Sequence, residues 1–183
     1  MDYVPLDTGV KSFPSESDLV QLMCRHVPYM EQYWYDDDAD HGHFGSLDLR
    51  DFQPEGGPIN EMIVRSMGQE MQGYAALYKS DYFDAAVAGI EGSVLLDRLN
   101  RCLRWLCAHH LSGDRRTEPL EWNGQWGDDW ESSPWTADMA MAAHHVWDAL
   151  ALDVQNAVLR VLAFEADRFI DVDPPDGRWL DTK

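Results

Sequence analysis

The chain has 183 residues, and 45% of them are hydrophobic, so it can bury the core of one domain and is too apolar for a disordered chain. It carries 33 acidic against 14 basic residues, a formal net charge of −19 at pH 7. That charge repels nucleic acids and anionic membrane surfaces, and we expect neither as a partner. Neutral sugars, cations and basic proteins are electrostatically easier partners.

The cysteines and the N-terminus indicate a cellular compartment. Cys24, Cys102 and Cys107 are odd in number and lack metal-ligand spacing, and free thiols suit a reducing compartment. The N-terminus lacks the basic and apolar regions of a signal peptide, and no apolar run reaches the roughly 20 residues that span a bilayer. We expect a cytoplasmic protein without a metal or other cofactor.

The first third of the chain predicts one helix and one long loop. Residues 1–16 form a loose polar lead-in, and apolar residues at helical spacing predict a helix over 17–33. Pro28 should kink or end that helix, because proline removes a backbone donor. Residues 35–57 form a predicted loop, acidic at first and rich in glycine and proline later. A loop of this length in a compact domain is usually functional or mobile.

Four more helices follow in the prediction. The second begins near Pro58, a residue suited to a first turn, and the third runs from about residue 84 to 111, with Gly113 as its cap. The fourth starts at an N-cap serine, Ser133, and ends near residue 150. The fifth runs from an N-cap at Asp153 to about residue 170.

No convincing strand pattern appears along the chain. The sequence therefore predicts an all-α fold, a single helical domain over residues 17–170 built from antiparallel helix pairs, followed by an irregular tail over 171–183.

The segment from residue 122 to 135 holds four of the eight tryptophans and three carboxylates. In a carbohydrate subsite, aromatic rings stack on sugar faces and carboxylates bind hydroxyl groups or act in glycoside hydrolysis. The rings concerned are Trp126, Trp130 and Trp135, and the carboxylates are Asp128, Asp129 and Glu131. The alternative is that the rings fill the gap between helices and the carboxylates are solvated.

The acidic loop carries the second candidate site. Its carboxylates and imidazoles over residues 36–43 could hold a divalent cation. The calcium-loop pattern fails, because His41 and Leu47 stand where that pattern needs Gly and Glu. The alternative is a solvated charge run. His41 or His43 is a candidate general base, since acidic neighbours keep an imidazole near a useful pKa.

Two polar features lie on predicted helices. Glu165 and Arg168 are three residues apart and can form a solvated ion pair on the helix surface. The alternative is that Glu165 lines a groove in which Arg168 binds a substrate carboxylate. In the doublet of His109 and His110, His110 continues the apolar stripe of the third helix and is interpreted as a core histidine.

Several runs together resemble the N-terminal helical part of heparinase II/III-type microbial proteins. They are residues 104–113, 126–132, Trp135, 147–150 and 165–169, with W-G-x-x-W-x-S-x-x-W as the most distinctive element. The resemblance implies an arc of an (α/α) toroid and a polysaccharide lyase-like or glycosidase-like protein. The catalytic histidines of such proteins lie beyond this chain's end, so we expect an inactive fragment, and no catalytic residue is carried over.

The sequence therefore predicts a carbohydrate-active helical domain that binds an oligosaccharide or polysaccharide. Trp126, Trp130, Trp135 and Glu131 would bind the substrate, with His43, Asp128 and Asp129 as candidate catalytic groups. The alternative is a non-catalytic, acidic interaction module with structural tryptophans. An incomplete toroid leaves apolar helix faces uncovered, which predicts self-association.

Overall fold

The structure, a computed structural model, describes residues 13–45, 60–116, 124–127 and 132–168. Within these ranges the chain forms six α-helices and one two-stranded antiparallel sheet, so the fold is mainly α-helical as predicted. The helices are α1 (Glu16–Met30), α2 (Asn60–Lys79), α3 (Ala85–Ala88), α4 (Gly92–Ala108), α5 (Ser132–His145) and α6 (Leu152–Asp167). The strands are β1 (Trp34–Asp36) and β2 (Gly42–Phe44). Short 3-10 turns cover Glu31–Tyr33 and Trp147–Ala149.

Helix α1 begins at a complete capping box. The Ser15 hydroxyl accepts the backbone N–H of Asp18, and the Asp18 carboxylate accepts the backbone N–H of Ser15. Pro28 lies inside the helix, which continues to Met30 before a 3-10 turn follows. The proline therefore stands within the last turn and does not end the helix by itself.

The single helix predicted over residues 84–111 is wrong, because the structure divides it into α3 and α4. Gly89 has a φ of 72°, a left-handed conformation that ends α3. Helix α4 then begins at Gly92 and ends at Ala108. Gly113 lies beyond the helix end, where its N–H donates to His110 O at 2.7 Å, so it closes the following turn and is not the helix cap.

The sheet is a hairpin that the sequence did not predict. Trp34 of β1 lies opposite Phe44 of β2, and Asp36 lies opposite Gly42. Each strand has only three residues, too few for an alternating apolar pattern to be visible in the sequence. A side chain at Gly42 would collide with the Trp34 ring, so glycine permits this close pairing.

The last two helices begin close to their predicted positions, but with different caps. Helix α5 starts at Ser132, one residue before the predicted cap at Ser133. Helix α6 has Ala151 as its N-cap, and the prediction of Asp153 is wrong. The Asp153 carboxylate instead accepts a hydrogen bond from Arg104 Nε of α4 at 2.6 Å.

Four helices surround the main core. Helices α2 and α6 each pack against both α4 and α5. Outside this group, strand β2 lies on α4, and helix α1 contacts α2 and α3. Large apolar side chains such as Met67, Leu99, Leu103 and Met139 are fully buried there. None of the described helices combines the length and the apolar character needed to cross a bilayer.

Candidate functional site

The hairpin loop is fixed on the polar side of α4 by Arg101. One guanidinium nitrogen donates to the carbonyl oxygens of Asp38 and His41 at 2.6 and 3.0 Å. The other pairs with an Asp36 carboxylate oxygen at 2.7 Å. Arg98, one turn earlier on α4, places its guanidinium 4.2 Å from the centroid of the Trp34 ring. Because the arginine side chains come from a helix, the loop is held on a rigid support.

Asp38 is the centre of the loop. Its Oδ1 accepts the backbone N–H groups of Asp40 and His41 at 2.8 and 2.9 Å, and also lies 2.9 Å from His41 Nδ1. Its Oδ2 accepts from Arg115 Nη1 at 2.7 Å. The hydrogen bonds from Arg115 and then His41 hold the pKa of the Asp38 carboxyl well below its usual range. Asp38 therefore stays ionised at neutral pH. We call Asp38, His41 and Arg115 the hairpin cluster.

The ionised Asp38 sets the tautomer of His41. Since a carboxylate only accepts, the nearby Nδ1 of the neutral imidazole carries the proton, and Nε2 keeps its lone pair. The His41 side chain is 14% exposed. No partner of Nε2 is seen among the residues that the structure describes. A ligand that reached Nε2 would therefore meet an unpaired lone pair.

His41 lines a pocket of about 300 Å³ between the hairpin, the end of α4 and α6. The lining is charged and of mixed sign, and it comprises Asp40, His41, Arg104, Ala108, Asp114, Asp153, Ala157 and Arg160. Such a pocket is small and places donors and acceptors side by side, an arrangement that suits a ligand rich in hydroxyl groups.

The guanidinium groups of the pocket are held by the protein itself. Arg104 contacts both carboxylate oxygens of Asp153, at 2.6 and 3.2 Å, and its hydrogen bond lowers the pKa of Asp153. Arg160 donates to the Cys107 carbonyl oxygen at 2.8 Å. These two guanidinium groups are therefore positioned before any ligand arrives, which reduces the entropy lost on binding.

His43, the predicted catalytic histidine, is packed against the hairpin and α4. Its Nδ1 lies 2.9 Å from Asp37 Oδ2, and its ring lies between Tyr35 and Trp105, with centroids 5.4 and 5.0 Å away. His43 does not line the pocket. The structure therefore favours His41 over His43 as the histidine that meets a ligand.

The predicted stacking role of two tryptophans is corrected by their burial. Trp126 is 2% exposed and Trp135 is 4% exposed, and their rings meet edge to face at a centroid distance of 6.4 Å. The Trp126 indole N–H donates to Leu106 O at 2.8 Å. Neither ring has a free face for a sugar, so both belong to the core. The other predicted residues of this segment, Asp128, Asp129, Trp130 and Glu131, lie outside the described residues.

A second cluster, which we call the buried cluster, joins His110, Ser132, Glu165 and Arg168. Glu165 Oε1 lies 3.2 Å from His110 Nε2, and Oε2 accepts from Ser132 Oγ at 3.2 Å. Arg168 donates to Glu165 at 3.1 Å, to Ser132 Oγ at 2.7 Å and to the carbonyl oxygen of Gly127. The predicted Glu165–Arg168 pair is present, but Glu165 is 6% exposed, so the solvated interpretation is wrong.

The buried cluster joins three parts of the chain. His110 is completely buried. A side chain at Gly127, which has a φ of 118°, would collide with the His110 ring. The close approach of this backbone to His110 therefore requires glycine, and the cluster connects the tryptophan segment to α5 and α6.

Most carboxylates of the predicted cation loop over residues 36–43 are used by the protein's own groups, and Asp40 lines the pocket instead. Asp36 pairs with Arg101, Asp37 with His43 and Asp38 with Arg115. Among the described residues no group of three or more His, Cys, Asp and Glu side chains is arranged to hold a metal ion. The arrangement therefore gives no support to a cation site at the hairpin.

Much of the pocket was not foreseen from the sequence. His41 was a candidate base, but Arg104, Asp114, Asp153 and Arg160 were missed. One signal could have helped: Arg98, Arg101 and Arg104 follow one another at intervals of three in a chain with 14 basic residues. That spacing places them on one side of a helix, where an acidic loop could meet them.

The chain matches no protein-family model, no curated protein and no solved structure. The site geometry and the sequence motifs therefore carry the functional inference.

Proposed function

We propose that this chain is a helical carbohydrate-binding region, with the charged pocket beside the hairpin as its sugar site. The observation that carries the proposal is the pocket of about 300 Å³ with fixed carboxylate, guanidinium and imidazole groups. Sugars present paired hydroxyl groups. Carboxylates accept hydrogen bonds from these groups, and guanidinium groups donate hydrogen bonds to them. The net charge of −19 favours neutral sugar units over polyanions.

His41 gives the pocket a group that can accept a proton. Its Nε2 would take a proton from the water that attacks a glycosidic carbon, or from the carbon next to a uronate carboxyl group so that elimination expels the glycosidic oxygen. In either case the leaving oxygen is protonated by solvent, while the ionised Asp38 stabilises the resulting imidazolium through Nδ1. Such a group serves either a polysaccharide lyase-like or a glycosidase-like reaction. Asp40 and Asp114 of the same lining would orient the sugar hydroxyl groups.

The proposal includes the finer architecture that the resemblance implies. The helices would form an arc of an (α/α) toroid of the heparinase II/III type. Support comes from the W-G-x-x-W-x-S-x-x-W run and from the succession of helices α4, α5 and α6, in which α6 packs on both of the others. In this proposal Trp126 and Trp135 of the run stabilise the arc and do not touch the sugar.

Nuclear magnetic resonance of the histidine side chains tests the sugar site directly. The chain has 7 histidines, and the His41→Gln variant assigns the His41 Cε1–H signal. We expect a neutral disaccharide to move this signal and to leave that of His144, an exposed histidine on α5, unchanged. Replacement of Asp114, which lines the pocket, by Asn should weaken binding about tenfold through the loss of a charged hydrogen-bond acceptor.

Two results contradict the proposal. One is a His41 signal that stays fixed while neutral and uronate-containing oligosaccharides are added to millimolar concentration. The other is binding that is equally strong in wild type, Asp114→Asn and His41→Gln.

A second candidate function is a non-catalytic interaction module. Two observations favour it: the described tryptophans of the 122–135 segment are buried in the core, and α1 exposes Leu19, Leu22 and Tyr29 to solvent. Large apolar side chains grouped on one surface typically mark a partner site.

A further inference from the structure

An apolar groove lies between α1 and α2, and it shares no residue with the sugar pocket. Its volume is about 360 Å³, within the range of ligand and peptide pockets. It is lined by Leu22, Met23, His26, Val27, Glu70, Gly73, Tyr74 and Leu77. Gly73 has no side chain, which leaves open space between the two helices.

An exposed apolar stripe continues the groove along α1. Leu19, Leu22 and Tyr29 are 41%, 65% and 43% exposed. Their spacing of three and seven residues places them on one side of the helix, over about 15 Å at 1.5 Å per residue. The buried residues of α1 are Val20, Cys24, Val27 and Met30, so the exposed stripe is separate from the face that meets the core.

Glu70 is the acidic group of this mainly apolar groove. Its side chain is 26% exposed, and burial raises the pKa of its carboxyl group. The nearest basic group is His26, whose Nε2 lies 3.7 Å from Glu70 Oε2. Among the described residues no lysine or arginine pairs with Glu70. A half-buried carboxylate in such a place costs stability, and a cation from outside would restore the lost interaction.

We propose that this groove is the docking site for a basic amphipathic helix of a partner protein. The apolar side chains of that helix would enter the groove and cover Leu22, and a lysine or arginine would pair with Glu70. The length and helical spacing of the stripe fit a partner helix of about three turns. A second copy of this chain fits less well, because two molecules of net charge −19 repel each other.

The test measures binding of a labelled 16-residue amphipathic peptide of leucine and lysine to the full chain by fluorescence anisotropy. Leu22→Gln should weaken binding at least tenfold, about the loss of one anchor residue at an interface. Glu70→Gln should weaken it about fivefold through the loss of the charge pair. A peptide with glutamate in place of lysine should not bind.

Matched controls separate the groove from general attraction to an acidic protein. Leu152→Gln removes an exposed leucine of α6 that is 71% exposed, and Glu91→Gln removes one negative charge at an exposed position. Both should bind the peptide as the wild type does. Leu22 and Glu70 replacements change no fully buried side chain, so the variants should fold, and circular dichroism checks this.

Three outcomes would overturn the proposal. The first is no binding of the lysine peptide, and the second is equal weakening by the control replacements, which would show attraction to the overall charge. The third is self-association in sedimentation experiments that Leu22→Gln abolishes, which would assign the groove to a second copy. None of these measurements depends on the sugar pocket, so each proposal can fail alone.

Discussion

The hairpin cluster and the buried cluster contain the same three chemical groups in different surroundings. Each joins a carboxylate, an imidazole and a guanidinium: Asp38, His41 and Arg115 in the first, Glu165, His110 and Arg168 in the second. The His41 side chain is 14% exposed and lines a pocket, whereas His110 is completely buried. Composition alone therefore does not distinguish a ligand site from a structural connection.

The difference lies in how many imidazole nitrogens the protein itself uses. The backbone N–H of Ser112 donates to His110 Nδ1 at 3.0 Å, so Nε2 carries the proton and donates to Glu165 at 3.2 Å. Both nitrogens of His110 are thus satisfied. His41 uses Nδ1 for Asp38, and its Nε2 has no partner among the described residues. A histidine with one satisfied nitrogen and an opening is the better candidate for chemistry.

Removing the guanidinium of the buried cluster should have the largest effect. Arg168→Met removes the guanidinium that donates to Glu165, to Ser132 Oγ and to the Gly127 carbonyl oxygen, and it leaves the buried carboxylate without its cationic partner. We expect a loss of about 3 kcal/mol in the free energy of unfolding, since breaking one partner of a buried pair strands a buried charge. Urea denaturation at pH 7 measures it.

The matched control for this variant is Arg116→Met, which removes an exposed guanidinium. It should change stability by less than about 0.5 kcal/mol, the usual range for surface positions. If Arg168→Met were as stable as Arg116→Met, Arg168 would not hold the buried cluster together, and the contrast between the two clusters would fail.

Acid should weaken the buried cluster through Glu165. Burial raises the pKa of Glu165, but the hydrogen bond from His110 and the charge of Arg168 outweigh burial and hold the pKa below its ordinary value of 4.5. The unfolded state therefore binds the proton more tightly, so the contribution of Glu165 is complete above pH 4.5 and is lost as the pH falls through the lower folded-state pKa.

The Glu165→Gln variant isolates that contribution. At pH 7 it should be less stable than the wild type by about 2 kcal/mol, the size of hydrogen bonds to a charged group. The difference should shrink as urea denaturation is repeated at lower pH, below the ordinary carboxyl range. Glu16→Gln, at an exposed position of α1, should show no such pH-dependent difference. A Glu165→Gln difference that stays constant with pH would contradict this role.

The sequence predicted the helices well where local signals and packing agree. The apolar spacing of α1, α2 and α4 and the cap signal at Ser133 favoured helix, and these segments are helical, with α5 starting one residue before that signal. It failed at the division between α3 and α4, because one glycine at a φ of 72° carries no periodic signal. It failed again at the hairpin, whose strands have three residues each.

The site was harder to predict because it depends on distant pairs. Arg101 and Asp36, and Arg104 and Asp153, belong to different elements of the fold. The sequence shows each charge but not which charges meet. The prediction for the tryptophan segment was wrong because its rings are close together in sequence, which suggested a platform for stacking on sugars. In the structure, the ring faces of Trp126 and Trp135 pack inside the core.

The smallest expected effect is spectroscopic, and it tests the contrast between the clusters most directly. In the neutral form His41 should carry its proton on Nδ1, because Asp38 accepts there. His110 should carry its proton on Nε2, because the backbone N–H of Ser112 donates to its Nδ1. Nitrogen chemical shifts of the labelled imidazoles distinguish these tautomers. Asp38→Ala should remove the Nδ1 preference of His41 and leave His110 unchanged. If both histidines show the same tautomer in the wild-type protein, Asp38 does not orient His41, and the proton-accepting role proposed for its Nε2 loses its physical basis.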